Sequence, residues 1–185
     1  MRVIAGTARG IKLKAPKGFT VRPTADRVKE ALFNIISPRI SGALFLDLYA
    51  GSGAIGIEAL SRGARFCIFV DHRKDNIMLI KENLAKTKLE QNVRLITADA
   101  NKTIANLTAE NIKADLAYLD PPYNETDILQ VVCNIFRQGL ITDHGLLIVE
   151  HAYKNQQWAD YLTGTSQKKY GDTGLTFITP ESFSE

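Results

Sequence analysis

Asp47-Leu48-Tyr49-Ala50-Gly51-Ser52-Gly53-Ala54-Ile55-Gly56 ends one apolar run and opens a helix-forming stretch. Glycines at 51 and 53 let the backbone turn sharply and come close to a ligand. Gly51, Gly53 and Gly56 also satisfy G-x-G-x-x-G, the turn that carries nucleotide cofactors between a strand and a helix. Asp71 closes the next apolar run 18 residues after Gly53, placed to accept hydrogen bonds from a ribose diol. Nicotinamide enzymes and S-adenosylmethionine methyltransferases both need that contact, so the glycines do not separate them. A strand-to-helix turn without a ligand also fits.

On either side of this stretch, strands and helices alternate. Strand-like runs are predicted at Leu44–Leu48, Phe66–Val70, Val93–Thr97, Leu116–Leu119 and Leu146–Val149, with helices near 54–62, 73–88, 100–108 and 126–137. The runs lack period-2 alternation, as strands covered by helices on both faces do. That is a doubly wound parallel sheet. Thr165–Tyr170 and Leu175–Thr179 flank Gly171-Asp172-Thr173-Gly174 and predict a closing antiparallel hairpin. Upstream, Val3-Ile4-Ala5 and Ile11-Lys12-Leu13-Lys14 predict a first hairpin. A helix is then expected from Thr24, its N-cap, to a stop at Pro38. Residues 1–23 thus read as a basic arm and 24–185 as one compact domain.

With 45% apolar and 23% charged residues among 185, the chain is an ordinary globular sequence rather than a fibrous or disordered one. No apolar run approaches the ~18 residues of a membrane span, and the N-terminus shows no secretory pattern. Cys67 and Cys133 match no zinc or disulfide spacing and read as buried free thiols, which suits the cytoplasm. Net charge is +3, unevenly spread: residues 1–30 hold eight bases and two acids, the remainder fifteen bases and eighteen acids. Arg2, Arg9, Lys12, Lys14, Lys17 and Arg22 have no acid within the first 25 residues. Clustered cations displace counterions from a polyanion, so the arm is a candidate for phosphate contact; a solvated surface strand fits equally.

Two acids favour a methyl donor over a dinucleotide. Asp47, four residues before the first glycine, would repel a pyrophosphate but suits an ammonium and a sulfonium. Asp99, after the third strand, can accept an adenine amine or simply cap a helix. The sharpest signal is Asp120-Pro121-Pro122-Tyr123 after the fourth strand. Two prolines remove two N–H donors and stiffen the chain, so the strand ends in a rigid elbow. An exocyclic nucleobase amine is a poor nucleophile because its lone pair is delocalised into the ring. Acceptors on Asp120 and the Pro121 carbonyl would bind its hydrogens, and Tyr123 would stack on the base. His72 and His144 read as turn residues and His151 as structural or rim. No cluster has metal-ligand spacing.

The chain resembles the RsmD family of bacterial 16S rRNA guanine-N2 methyltransferases. The resemblance spans nearly its whole length: Met1 to Gly6 with Arg9-Gly10, Arg22-Pro23-Thr24 with Asp26 to Asn34, Asp47 to Gly53, Glu58 to Ala64, and Asp120 to Tyr123. It implies a Rossmann-like class I S-adenosylmethionine-dependent fold, a seven-stranded, mostly parallel sheet with an N-terminal hairpin. It implies methylation of one guanine, position 966 in the family's usual name, and puts Thr24 by the methionine end of the cofactor. The expected cofactor residues are therefore Thr24, Asp47, Tyr49, Gly51, Ser52, Gly53, Asp71 and Asp99. Asp120, Pro121 and Tyr123 are expected at the reacting amine. Pro122, Arg2, Arg9, Lys12, Lys14 and Arg22 are expected on the substrate, 16S rRNA or the small ribosomal subunit. A monomer without metal or membrane is expected. The rivals are an adenine-N6 methyltransferase, a nicotinamide oxidoreductase and a noncatalytic RNA-binding or ribosome-assembly factor.

Overall fold

The computed structural model describes residues 1–16, 23–121, 128–154, 159 and 162–183, with side chains of the first helix from residue 26 onward. Short strands that are apolar on both sides draw helices onto each face of a sheet. Strand β1 (Leu44–Leu48) lies between β2 (Phe66–Asp71) and β4 (Ala114–Leu119), all parallel, with β3 (Val93–Thr97) outside β2. Strand β5 (Ile141–Ala152) continues the parallel set beyond β4. An antiparallel hairpin, β6 (Ser166–Tyr170) and β7 (Thr173–Ile178), closes the edge, with β7 against β5. Among the described residues these seven strands form one sheet of order β3-β2-β1-β4-β5-β7-β6. The order reverses between β1 and β4, the place where open α/β sheets bind ligands at their carboxyl ends.

Two cores sandwich the sheet. On one face α1 (Pro23–Ile40), α2 (Ala54–Ser61) and α3 (Lys74–Thr87) bury Leu32, Phe33, Ile57 and Ile80 against Phe45, Phe69 and Tyr118. On the other, α4 (Ala100–Ala109) and α5 (Ile128–Arg137) bury Ile104, Val132 and Ile135 against Leu46, Ile68 and Leu147. No helix among the described residues is long and apolar enough to cross a membrane.

Several expectations change. Helix α1 starts at Pro23 rather than being capped by Thr24, because a proline's missing N–H costs nothing in the first turn. It also runs past Pro38 to Ile40, whose side chain is buried and holds the last turn in the core. The predicted Leu146–Val149 is the inner part of β5, which reaches back to Ile141 through a register irregularity opposite Ala114. The β6–β7 turn is two residues, not four, since Tyr170 pairs with Thr173 and Gly171 takes φ 64°. Cys67 is buried, as expected, whereas Cys133 is only half-buried.

The N-terminal hairpin forms, with the Val3 N–H donating to the Ile11 carbonyl at 3.0 Å, Gly10 N–H to the Val3 carbonyl at 2.9 Å and Leu13 N–H to the Met1 carbonyl at 3.1 Å around an antiparallel bridge of Arg2 with Lys12. Other backbone donors of the arm reach α2. Ile4 and Ala5 N–H donate to the Glu58 carboxylate at 2.8 and 2.9 Å, Thr7 N–H to the Ser61 carbonyl at 2.8 Å and Ala8 N–H to Ser61 Oγ at 2.9 Å. A Cβ on Gly6 would lie 1.8 Å from the Ser61 oxygen, so only glycine lets the arm approach α2 this closely. Val3, Ala8 and Leu13 join the core beneath α1.

Candidate active site

The turn after β1 is held in a conformation most residues avoid. Tyr49, Gly51 and Gly53 have φ of 63°, 55° and 75°. For tyrosine this costs roughly 1–3 kcal/mol and persists only where the surroundings enforce it. A Cβ on Gly53 would stand 3.1 Å from Ile80 of α3. Gly56 serves packing instead. A Cβ there would stand 2.3 Å from the Phe69 ring, so its absence seats α2 against β2.

Two carboxylates organise this turn. Asp71, 5% exposed at the end of β2, accepts from Gly51 N–H and Asn76 Nδ2 on Oδ2, both at 2.9 Å, and from Arg73 N–H on Oδ1 at 2.8 Å. Those three donors leave one of a carboxylate's roughly four acceptor positions for a hydroxyl. Asp47 is 1% exposed beneath the turn, its Oδ2 accepting the Gly56 N–H at 2.9 Å. Burial pushes its carboxyl up from 3.8 to about 7; the Gly56 N–H opposes this and the Asp71 charge adds to it.

That shift makes a prediction. Between about pH 4 and 7 the folded protein keeps a proton on Asp47 that the unfolded chain has released, so stability falls as pH rises through this window. Asp47→Asn keeps an acceptor for Gly56 and removes the titration. Urea unfolding should show the variant gaining on the parent by at least about 1 kcal/mol between pH 4 and 8, the value of one pKa unit. Parallel pH profiles would remove Asp47 as the buried titrating group.

The carboxyl ends of β4 and β5 carry a second group of acids. Leu119 pairs with Val149, which sets Asp120 beside Glu150 just beyond. The Tyr118 hydroxyl donates to Glu150, and Pro121 is buried behind Asp120. Desolvation, then the charges of Glu150 and Asp47, push the Asp120 carboxyl well above the usual range. Asp120 keeps exposed surface, so water offsets part of that desolvation. Glu150 is also pushed up by burial, with the Tyr118 hydrogen bond opposing. Asp47, Tyr118, Asp120 and Glu150 alternate with residues of the α4–α5 core and so lie on the α1 face.

The expected residues therefore fall into groups. Asp47, Tyr49, Gly51, Ser52, Gly53 and Asp71 meet at the ends of β1 and β2, and Asp120 with Pro121 stands at the end of the neighbouring β4. Asp99 is the N-cap of α4, its Oδ1 accepting Asn101 and Lys102 N–H at 2.9 and 3.4 Å; both bonds fall on one oxygen. Thr24 lies in the first turn of α1, its side chain outside the described residues, as are Arg22, Lys17, Pro122 and Tyr123. Arg2, Arg9 and Lys12 are exposed on the arm, whereas Lys14 pairs with Glu82 at 2.7 Å. His151 is buried in β5 with Nε2 2.9 Å from Thr176 Oγ1, a structural position.

Sequence reading missed the groups that join these parts. Glu58 is 0% exposed and also binds Lys29 Nζ at 3.1 Å and Arg62 Nε at 2.8 Å. Its signal was present: one acid in the otherwise uncharged α2. Asn83, fully buried on α3, donates from Nδ2 to the carbonyls of Lys14 and Ser52 and accepts the Lys14 N–H. The arm is thereby tied to the glycine turn.

The family described as "Conserved hypothetical protein 95" matches residues 1–179. YlbH of Bacillus subtilis is 37% identical over 177 residues, 95% of this chain and 96% of its own. Ribosomal RNA small subunit methyltransferase D of Escherichia coli K12 is 34% identical over 155 residues, 84% of this chain and 76% of its own. The solved structure of a hypothetical protein from Thermus thermophilus superposes with TM-score 0.84 at 29% identity, covering 97% of this chain and 99% of its own. A solved S-adenosylmethionine-dependent methyltransferase from Agrobacterium tumefaciens shares the fold at 20% identity and TM-score 0.68, covering 86% of this chain and 63% of its own.

Proposed function

We propose, from the premise that this chain belongs to the RsmD family of rRNA small subunit methyltransferases, that it methylates the N2 amine of one guanine in 16S rRNA. The protein is an rRNA methyltransferase that uses S-adenosylmethionine; the guanine and its N2 atom are the proposal. The observation that carries the reading is a divided sheet edge, with a nucleotide cradle on β1 and β2 and the Asp120 carboxylate at the end of the adjoining β4. A cradle of two buried acids, Asp47 and Asp71, suits a cofactor with ammonium and sulfonium charges. It would repel a pyrophosphate, which disfavours a nicotinamide cofactor.

S-adenosylmethionine supplies a methyl group made electrophilic by its sulfonium. The remaining work belongs to the chain. Asp71 offers its free acceptor position to a ribose hydroxyl, while Gly51 N–H fixes the carboxylate's orientation. Asp47 shapes the turn by accepting the Gly56 N–H. Asp120 and the Pro121 carbonyl accept the two hydrogens of the guanine amine and concentrate its lone pair on nitrogen. The amine would displace S-adenosylhomocysteine from the methyl carbon, a C–N bond replacing the C–S bond. The nitrogen, made positive, would give one proton to Asp120, whose raised pKa makes it a stronger base than a free aspartate. The base must leave its stack to reach this edge, at a cost of a few kcal/mol. Arg2, Arg9 and Lys12, exposed and close to α2, are suited to RNA phosphates.

Asp71→Ala should weaken S-adenosylhomocysteine binding by roughly 1.5–3 kcal/mol, the scale of a hydrogen bond to a charged group. Calorimetry on the folded variant measures it, and unchanged affinity would displace the ribose from Asp71. The function itself is tested with methyl-labelled S-adenosylmethionine and small-subunit particles from cells lacking the gene. Label should enter 16S rRNA and leave duplex DNA untouched; the reverse pattern would favour the DNA adenine-N6 rival.

A further inference from the structure

We propose that Glu150 selects the target base, its carboxylate accepting the N1–H of guanine while the neighbouring Asp120 receives the N2 amine. The inference rests on the guanine reading above and adds a recognition residue to it. Strand order carries the first step. The cofactor cradle occupies the ends of β2 and β1, so a base whose amine meets Asp120 on β4 has its remaining edge directed along the sheet, towards β5. The residue there is Glu150, set beside Asp120 by the Leu119–Val149 register and on the same α1 face. Tyr118 holds it in place by donating its hydroxyl to Oε2, and the side chain keeps partial access to solvent. Beyond it, on the same face, a cleft of about 660 Å³ between α1 and the β6–β7 turn is lined by Arg27, Asn34 and Tyr170. That volume is typical of small-molecule sites and leaves room for the rest of a nucleotide.

Base chemistry carries the second step. Guanine presents two adjacent donors, N1–H and the N2 amine, to a pair of acceptors. Adenine presents an amine beside N1, which is an acceptor, and an ionised carboxylate facing it meets lone pair with lone pair. Two carboxylates in register therefore fit guanine and reject a base that lacks the N1 proton. Sites built around a substrate hydrogen bond discriminate in this way because the unmatched polar group is left buried and unpaired.

The test replaces the target guanine in an rRNA substrate by 2-aminopurine, which keeps the N2 amine but has a bare N1. Parent protein should prefer guanine in kcat/KM by about tenfold or more. Glu150→Gln keeps the shape and can turn either its oxygen or its amide nitrogen to the base. Its preference should fall to within about twofold, with S-adenosylhomocysteine affinity unchanged as the sign of a folded cradle. Glu150→Ala supplies a second variant and should lose the preference too. A preference retained by both variants, with N2-methylation of guanine intact, would overturn the role of Glu150 alone. Absence of N2-methylguanine in the parent's product would overturn the guanine reading and this inference together.

Discussion

Asp120→Ala should lower the single-turnover rate of methyl transfer to rRNA by about 100-fold or more, while S-adenosylhomocysteine affinity changes little. The size follows from where the acceptor acts. Its attraction for the amine hydrogens grows as positive charge develops on nitrogen, so the interaction is stronger in the transition state than in the bound state. Removing one preorganised polar group of that kind costs roughly 10²–10³ in rate elsewhere. The loss should appear in turnover rather than in substrate affinity, which separates it from the Asp71 effect. Because desolvation, with the charges of Glu150 and Asp47, holds the Asp120 pKa up, parent turnover should also fall as pH drops and the carboxylate takes up its proton. Near-normal single-turnover rates in a folded Asp120→Ala protein would remove the residue from the mechanism.

The second large effect is on stability. Glu58→Ala should cost about 3–5 kcal/mol in urea unfolding, the range for breaking a buried ion pair by deleting one partner. The deletion leaves Lys29, 4% exposed, without its carboxylate, and strips the Ile4 and Ala5 N–H groups of their acceptor. Burial would raise the Glu58 pKa, but the Ile4 N–H, Lys29 and Arg62 together hold it below its ordinary value. Its contribution is therefore present above the unfolded carboxyl's pKa and fades as pH falls through the lower folded one. Replacing both partners, Glu58→Gln with Lys29→Met, should recover much of the loss, since the buried Lys29 charge is removed and an amide oxygen remains to accept from the arm or from Arg62. A loss below about 1 kcal/mol for Glu58→Ala would show that the arm is not held by this carboxylate.

The glycine turn, Asp71 and the inner strands were legible because each is a local pattern: positive-φ glycines, an acid closing an apolar run, apolar residues on both strand faces. The outer part of β5 was hidden because Thr142, Asp143 and His144 look like a loop, and pairing with β4 overrides that preference. Glu150 was unreadable as a partner of Asp120, since their adjacency depends on the β4–β5 register, thirty residues apart in sequence. The arm shows a similar limit. Its basic charges and strand pattern were legible, but not that its backbone is bonded to side chains on α2 and α3 far along the chain. The burial of Asp47 beneath the turn was not legible either, because no spacing reveals it.

The most direct test is the chemical identity of the product. Small-subunit particles from cells lacking the gene are incubated with the protein and S-adenosylmethionine, and their 16S rRNA is digested to nucleosides for mass spectrometry. N2-methylguanosine should be the new nucleoside, about one per particle, and should be lost with Asp120→Ala. N6-methyladenosine in its place, or methylation that persists in the Asp120→Ala protein, would contradict this mechanism.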